Sequence, residues 1–503
     1  MTDLPAPVAT PVKATAATDR LAHLTAGRTR AAVSGLAWSL LNVALTTLLA
    51  AAVFLVTSRL LAPEDFGAVA FAAAIVALVG TLVPMAFGEA LVQRADLRPD
   101  HLDTVFWLAL GAGALGFAGT AALAPVAAAW TGVPVVAQIL PLLALRLVFD
   151  AALTVPAALI ARQMRFRLVT LRTAVANGLG AAVCLVLVLD GYALWALVIS
   201  QVATSAAAWA VAAATAGWRP GVGVSRAALR DLGRFGLYAM GGRALTEARI
   251  DQLLLGAVLG PAALGLFYFA RRLFVMLRDL TAGAFTPVSN ALMASLQAEP
   301  EKRREAYLAA SFAAASLAFP VFAGLIAVAP TAVPYVFGGQ WTDAVFAVQC
   351  LAVVGILAGL GVLQAALIRN LGRPDWWFGY QAAMQLSTIP LVLALFPLGL
   401  DAIMAAIVAR TLLLWPLSVR MAGRMLQMTT ARYAASLAAP AAAAAAMALA
   451  VAALPALAPG LGPAGLLAAQ MAGGAALYAG LLALGARRRL AEIVRMVRAR
   501  RAA

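Results

Sequence analysis

Residues 104–129 read TVFWLALGAGALGFAGTAALAPVAAA, an apolar segment without a single charged side chain. A helix needs about 20 such residues to cross the hydrocarbon core of a bilayer, so this segment predicts a transmembrane span. Similar segments recur from residue 34 almost to the C-terminus. Hydropathy therefore predicts about 14 spans, at residues 34–58, 66–88, 102–129, 135–160, 168–189, 192–216, 235–256, 262–293, 306–330, 344–368, 376–398, 402–419, 433–454 and 464–486.

The composition of the whole chain excludes a water-soluble protein. Of its 503 residues, 64% are hydrophobic and 12% are charged, and the mean hydropathy is +0.93. Soluble domains contain about 25% charged residues and roughly half apolar ones, so no water-soluble core could hide this much apolar surface. We expect an all-α integral membrane protein of a bacterial plasma (inner) membrane.

The formal net charge of +16 is explained by the distribution of the basic residues. With the N-terminus inside, and with Arg172 at the start of the fifth span counted in the loop before it, 29 of the 37 Lys and Arg residues fall in inner loops and tails, seven fall within spans, and Arg59 alone lies in an outer loop. This asymmetry follows the positive-inside rule and predicts that both termini are cytoplasmic. We therefore expect no nucleic-acid partner.

The spans and loops divide the chain into six predicted segments. The first 30 residues are rich in Ala, Thr and Pro and lack the basic start and apolar core of a signal peptide, so we expect a cytoplasmic tail. The segments are a disordered tail (1–33), an N-lobe of spans 1–6 (34–216), a cytoplasmic inter-lobe loop (217–234), a C-lobe of spans 7–12 (235–425), spans 13–14 (426–486) and a basic cytoplasmic tail (487–503).

A short motif repeats in the two predicted lobes at a shift of 198 residues. The matching pairs are Leu61 and Leu259, Pro63 and Pro261, Gly67 and Gly265, and Phe71 and Phe269. The shift covers six spans, an even number, so both copies have the same orientation in the membrane. Parallel repeats of this kind are a transporter architecture with the substrate path between the lobes. We expect the repeated prolines and glycines to shape turns.

No catalytic or metal-binding pattern stands out from the sequence. His23 and His101, the two histidines, share no metal-ligand spacing with a cysteine or a carboxylate. The predicted outer loops are short, whereas membrane glycan polymerases generally place catalytic residues in a large outer loop. We therefore expect a protein that is not an enzyme and that holds no metal or cofactor.

Eight loop and turn motifs occur in the chain: RLLAPEDFG at 59–67, GEALVQR at 88–94, HLDTVFW at 101–107, RFR at 165–167, GYALWALV at 191–198, DQLLLGAVLGPAALG at 251–265, FPVFAG at 319–324 and FGGQW at 337–341. In this order they resemble the polysaccharide-transporter flippases of the MOP exporter superfamily. The resemblance covers roughly residues 34–425 and leaves the role of spans 13 and 14 open.

The resemblance implies the MOP flippase fold, with two six-helix lobes related by a parallel pseudo-two-fold axis and two extra C-terminal helices. It implies a flippase of undecaprenyl-diphosphate-linked oligosaccharide for exopolysaccharide, capsule or O-antigen synthesis. A polysaccharide polymerase and a chain-length regulator would be its partners, and a proton or sodium gradient its energy source. A lipid II flippase of cell-wall synthesis and a multidrug or cation exporter of the same superfamily are the alternatives.

Charged residues within the predicted spans test this reading independently. Seven arginines at about 3 kcal/mol each would cost roughly 20 kcal/mol if they faced lipid, so they must be paired or line a wet cavity. Four acids accompany them, which leaves a surplus of three positive charges suited to binding phosphate. The residues are Arg146, Arg243, Arg249, Arg271, Arg272, Arg278 and Arg410, with Asp150, Glu247, Asp251 and Asp279.

Spacing along the helices assigns these charges to faces. Arg146 and Asp150 are four residues apart, and Arg243, Glu247 and Asp251 repeat at four, so each set is expected on one helix face. We expect Arg249 and Arg410 to snorkel or to bond carbonyl groups. The predicted substrate-binding residues of the cavity are Arg146, Arg243, Arg271 and Arg278, and the predicted counter-ions or ion-coupling residues are Asp150 and Glu247.

Overall fold

The computed structural model describes residues 45–94, 96–247, 249–282 and 299–487, and over these residues the chain is helical without strands. The helices are α1 (Leu45–Leu60), α2 (Pro63–Leu82), α3 (Phe87–Gln93), α4 (Pro99–Thr131), α5 (Val136–Ala144), α6 (Arg146–Arg162), α7 (Phe166–Leu189), α8 (Ala193–Thr215), α9 (Arg226–Glu247), α10 (Ile250–Ala282), α11 (Pro300–Ala332), α12 (Val345–Asn370), α13 (Pro374–Leu386), α14 (Thr388–Leu395), α15 (Gly399–Met425), α16 (Thr430–Leu457) and α17 (Pro463–Gly485).

Helix boundaries follow proline and glycine signals in the sequence. Pro63, Pro99, Pro374 and Pro463 each occupy the first position of a helix, where the missing N–H costs nothing. Within α10, Gly260 breaks the helix at φ 80° and ψ −179°, so α10 contributes the end of the predicted span 235–256 and residues 262–282 of the next one. Each of the 14 predicted spans overlaps a described helix, and the all-α membrane fold is confirmed.

The two copies of the repeated motif meet where α2 crosses α10. A β-carbon placed on Gly67 would overlap the carbonyl oxygen of Pro261, and one placed on Gly265 would overlap the carbonyl oxygen of Pro63. This reciprocity is the mark of a pseudo-two-fold axis between the repeats. The glycines thus permit close packing of two helix backbones, which is how small residues join helices in membranes. Because Gly67 lies within α2 and Gly265 within α10, the expectation that these two glycines shape turns is wrong.

The two ends of the helical bundle differ in their basic residues, and we name them the Arg59 end and the basic end. The Arg59 end carries the α1–α2 connection and residues 333–344. The basic end carries Arg94 and Arg98, the 217–225 segment and the α15–α16 connection.

At the basic end, the N-lobe holds the start of the C-lobe through the HLDTVFW motif. Asp103 accepts a hydrogen bond from the backbone N–H of Gly221 at 2.9 Å, and Trp107 donates to the carbonyl of Gly221 at 2.8 Å. Asp231 of α9 lies 3.2 Å from the Arg94 guanidinium and 3.5 Å from buried His101. The motif therefore fixes the inter-lobe loop.

Spans 13 and 14 are held on the C-lobe by buried polar side chains. Tyr307 of α11 and Tyr433 of α16 are both 1% exposed, and their rings stack with centroids 5.8 Å apart. The hydroxyl of Tyr478 in α17 donates to the carbonyl of Ser316 in α11 at 2.9 Å. Polar contacts of this kind hold membrane helices together, so α16 and α17 pack as part of the C-lobe.

The basic loops give a topology that reporters can check. The loop at Gln427 lies at the basic end and Gly339 at the Arg59 end, so a reporter fused after Gln427 should read cytoplasmic and one after Gly339 should read external. Alkaline phosphatase and a fluorescent protein, fused in turn at each site, measure the two sides. The spans 344–368, 376–398 and 402–419 lie between the two fusion sites. If both reporters read the same side of the membrane, this odd number of crossings would be wrong.

Candidate substrate cavity

A cavity between the lobes consists of two adjoining compartments with volumes of about 430 and 450 Å³. They share a boundary formed by Ala73, Arg146, Arg249, Tyr268 and Arg272. The compartment of about 450 Å³, which we call the cationic compartment, contains all the other charged lining residues. The compartment of about 430 Å³, the polar compartment, carries hydroxyl and amide groups instead.

Three of the predicted substrate-binding arginines line the cationic compartment, namely Arg146, Arg271 and Arg278. Arg146 lies 3.8 Å from Asp150, four residues on along α6, as their spacing predicts. Arg271 pairs with Asp251, and Arg278 lies 2.8 Å from Asp279. The side chains of Arg146 and Arg271 stay about one-third exposed, so each can still reach a ligand.

Neighbouring polar groups of α8 fix the direction of Arg146. Its guanidinium donates to Gln201 Oε1 at 2.9 Å and to Ser205 Oγ at 3.2 Å. Gln201 in turn donates to the carbonyl of Leu197 at 3.0 Å. Both ends of the Gln201 amide are therefore engaged, and this residue positions Arg146 at the boundary of the two compartments.

The seventh span is broken at Arg249. Helix α9 ends at Glu247, and Arg249 adopts φ 45° in the left-handed region, which a non-glycine residue occupies at some energetic cost. Helix α10 then begins at Ile250. Because of this break, the expectation that Asp251 continues the face of Arg243 and Glu247 is wrong, and Asp251 pairs instead with Arg271 of the next span. The side chains of Arg243 and Glu247 lie outside the described residues.

Arg249 and Arg272 line both compartments and were not among the predicted substrate-binding residues. Among the side chains that the structure describes, neither forms an ion pair. The acid spaced seven residues from Arg272, Asp279, binds Arg278 instead. The sequence signal that could have identified Arg272 is that it directly follows Arg271. Two consecutive residues of one helix point in different directions, so only one of these arginines could contact Asp251.

Arg410 lies away from the cavity. Its guanidinium donates to the carbonyl of Met384 at 2.9 Å and to the hydroxyl of Thr388 at 2.6 Å. The prediction that it bonds neighbouring carbonyl groups is confirmed. It therefore serves as an intramembrane arginine without a place on the cavity wall.

At the Arg59 end a latch joins the two lobes. The Ser58 carbonyl accepts hydrogen bonds from Trp341 Nε1 at 2.7 Å and from Gln340 Nε2 at 2.9 Å. Arg59 donates to the carbonyls of Val336 at 2.7 Å and Tyr335 at 2.9 Å. Trp341 is fully buried, and its ring stacks on Phe269 with centroids 4.2 Å apart. The FGGQW motif thus binds the exit of α1 and joins the two lobes at this end.

Residues 56–346 match the family described as "Polysaccharide biosynthesis protein", and this match covers more than half of the chain. The chain belongs to this family. Its matched region contains the latch, the α2–α10 crossing and every arginine of the cavity.

Three relatives share this region at low identity. Teichuronic acid biosynthesis protein TuaB of Bacillus subtilis is 26% identical over 311 residues, covering 61% of this chain and 64% of TuaB. Succinoglycan biosynthesis transport protein ExoT of Rhizobium meliloti is 24% identical over 61% of this chain and 63% of ExoT. Lipopolysaccharide biosynthesis protein WzxC of Escherichia coli is 23% identical over 72% of this chain and 74% of WzxC. The chain thus spans just under two thirds of the first two relatives.

Two solved structures show the fold. Lipid II flippase MurJ in an inward closed conformation has a TM-score of 0.71 at 10% identity and covers 88% of this chain and 98% of MurJ. A multidrug resistance MATE family transporter of the MOP superfamily, inward-facing, has a TM-score of 0.62 at 16% identity and covers 78% of this chain and 99% of that chain. The family and these likenesses agree with the resemblance found in the loop motifs, and the fold is that of the MOP superfamily.

Proposed function

We propose that this chain is a flippase that moves undecaprenyl-diphosphate-linked oligosaccharide repeat units from the cytoplasmic to the outer leaflet of the plasma membrane. The observation that carries the proposal is the arginine cluster of one inter-lobe cavity. Five arginines line it, whereas three acids pair with them: Arg146, Arg249, Arg271, Arg272 and Arg278 against Asp150, Asp251 and Asp279. Among the side chains that the structure describes, this leaves an excess of two cations, which is costly at this depth unless an anion neutralises it.

A diphosphate suits this cluster for geometric reasons. Guanidinium groups form two parallel hydrogen bonds to phosphate oxygens, and they replace the hydration that the phosphates lose on leaving water. Arg249 and Arg272 line both compartments, so an anion in either one can reach them. The arginines that already pair with acids, Arg146, Arg271 and Arg278, can then donate to the bound anion as well.

Alternating access accounts for the direction of movement. If the basic end faces the cytoplasm, the latch of Ser58, Arg59 and Trp341 closes the outer side while the cavity awaits substrate from the inner leaflet. Opening the latch and closing the basic end would release the glycan outside. A proton or sodium ion that moves inward would supply about 2.3 kcal/mol per charge for each 100 mV of membrane potential, and this energy would help to reset the carrier.

The two alternatives differ in the cavity charge and in the headgroup. A cation exporter needs a cavity that accepts positive drugs, which an arginine excess disfavours. A lipid II flippase would bind the same diphosphate, so the arginines alone do not exclude it. TuaB, ExoT and WzxC are named for the biosynthesis or transport of polysaccharides, which favours a polysaccharide flippase over a lipid II flippase. Its product would be exopolysaccharide, capsule or O-antigen. A polymerase and a chain-length regulator would act after translocation.

Depletion of the chain in its host tests the proposal. We expect surface polysaccharide to disappear while lipid-linked repeat units accumulate in the inner leaflet, protected in intact cells from an added glycosidase. Lipid II exposed on the outer surface is the control and should stay at its normal level. Accumulation of inner-leaflet lipid II with normal polysaccharide would instead identify the cell-wall alternative and overturn the proposal.

A further inference from the structure

The polar compartment differs chemically from the cationic one. Away from the shared boundary, its polar lining consists of uncharged groups on three helices, Thr46 and Thr57 on α1, Asn177 on α7, and Ser200, Gln201 and Thr204 on α8. No described carboxylate lines it. These uncharged polar groups suit a neutral ligand part that carries hydrogen-bonding groups of its own.

Three side chains of this wall offer acceptors to a ligand. The hydroxyl of Ser200 donates to the carbonyl of Leu197 at 3.2 Å, and that of Thr204 donates to the carbonyl of Ser200 at 2.7 Å. The Asn177 amide donates from Nδ2 to Thr46 Oγ1 at 3.4 Å. With these protons engaged inside the protein, the lone pairs of both hydroxyl oxygens and of the Asn177 carbonyl are left to accept bonds from a ligand.

An acceptor-rich wall discriminates between the parts of the proposed substrate. An ionised phosphate has no proton to donate, so it cannot bond to these acceptors, and an apolar lipid chain would leave them unsatisfied. Sugar hydroxyls are donors, and they are neutral. Helix α7 packs closely on α8 at this wall. Gly180 of α7 makes room for the hydroxyl of Thr204, because a β-carbon on Gly180 would overlap that hydroxyl.

We infer that the polar compartment holds the first sugar of the lipid-linked glycan, with Asn177, Ser200 and Thr204 as the residues that recognise it. This inference rests on the proposed function. It places the diphosphate at the shared boundary on Arg146, Arg249 and Arg272, so that the sugar attached to it enters the adjoining compartment. Specificity for the glycan then lies in the N-lobe, and affinity for the diphosphate lies between the lobes.

Binding to the purified full chain in nanodiscs separates these two contributions. The probes are undecaprenyl diphosphate alone and undecaprenyl diphosphate bearing one glucose, galactose or N-acetylglucosamine. The wild-type chain should bind at least one sugar-bearing probe about tenfold more tightly than the bare lipid. Asn177→Leu and the double variant Ser200→Ala/Thr204→Val should reduce this gain about three- to tenfold, the effect of one or two neutral hydrogen bonds.

The bare lipid reports on folding and on the proposed function. Its dissociation constant should change less than about twofold in the polar-compartment variants, and Thr215→Val, on the same helix α8 but away from the cavity, should alter neither quantity. An undiminished sugar gain in both variants, or equal binding of all four probes to the wild-type chain, would overturn the inference and leave the flippase proposal standing. Failure of the wild-type chain to bind the bare lipid would overturn both.

Discussion

Replacing Arg272 or Arg146 with alanine should abolish surface polysaccharide and trap lipid-linked repeat units on the inner side of the membrane. Each guanidinium at the boundary can form two charge-assisted hydrogen bonds to the diphosphate, at about 1.5–3 kcal/mol each. The loss of one arginine therefore corresponds to at least a hundredfold weaker binding. Polymer output and the amount of lipid-linked oligosaccharide per cell measure the effect.

Arg271 is a less direct test than Arg272, although it lines the same compartment. Its removal would leave Asp251 without its partner inside the membrane, so a defect could arise from folding. Arg271→Ala should abolish export as well, and the double variant Arg271→Ala/Asp251→Ala should restore membrane levels without restoring transport. This outcome would separate the structural role of the pair from its role in binding.

Matched substitutions complete the arginine test. Lysine at position 146 or 272 keeps the charge and loses the planar fork, so partial activity is expected. Arg410→Gln is the control, because Arg410 is an intramembrane arginine that bonds Met384 and Thr388 outside the cavity. Normal polymer output from alanine variants present at wild-type levels would remove Arg146 and Arg272 from the mechanism.

The spans were predictable from the sequence because hydropathy and charge act locally. A run of about 20 apolar residues must form a helix in lipid whatever surrounds it, and inner loops carry their arginines independently of packing. The pairing of Arg146 with Asp150 was predictable for the same reason, since helix geometry alone places residues four apart on one face. These predictions needed no knowledge of neighbouring helices.

The cavity itself was only partly predictable, because its wall is made by helices far apart in sequence. The break at Arg249 depends on a left-handed backbone at a non-glycine residue, which no propensity signals. It moves Asp251 out of the face of Glu247 and towards Arg271. Gln201 and Asn177 look like ordinary polar residues in the sequence, and their contacts with Arg146 and Thr46 form only when α7 and α8 pack beside α1 and α6. The division of the chain into segments at residues 34–216 and 235–425 stays a prediction.

Gly67→Ala should remove most of the folded protein from the membrane, although it adds one methyl group. That methyl group would overlap the carbonyl oxygen of Pro261, which belongs to a backbone and cannot rotate away. The two helices must then separate at the pseudo-two-fold axis, on which buried residues of both lobes, such as Phe71 and Leu264, converge. Overpacking by a single methyl group typically costs about 1–3 kcal/mol, and displacement of a helix backbone places this site at or above that upper bound.

Gly265→Ala should produce the same defect, because Gly265 meets Pro63 across the same axis as Gly67 meets Pro261. The double variant should be less destabilised than the sum of the single variants, since separating the helices once relieves both overlaps. Gly119→Ala in α4 is the matched control, because no neighbouring atom lies within 4 Å of its added carbon. Membrane abundance and the unfolding temperature in detergent measure all four proteins. An unchanged unfolding temperature in Gly67→Ala would contradict the close crossing, and strictly additive losses would show that the two glycines act at independent sites and are not joined by one axis.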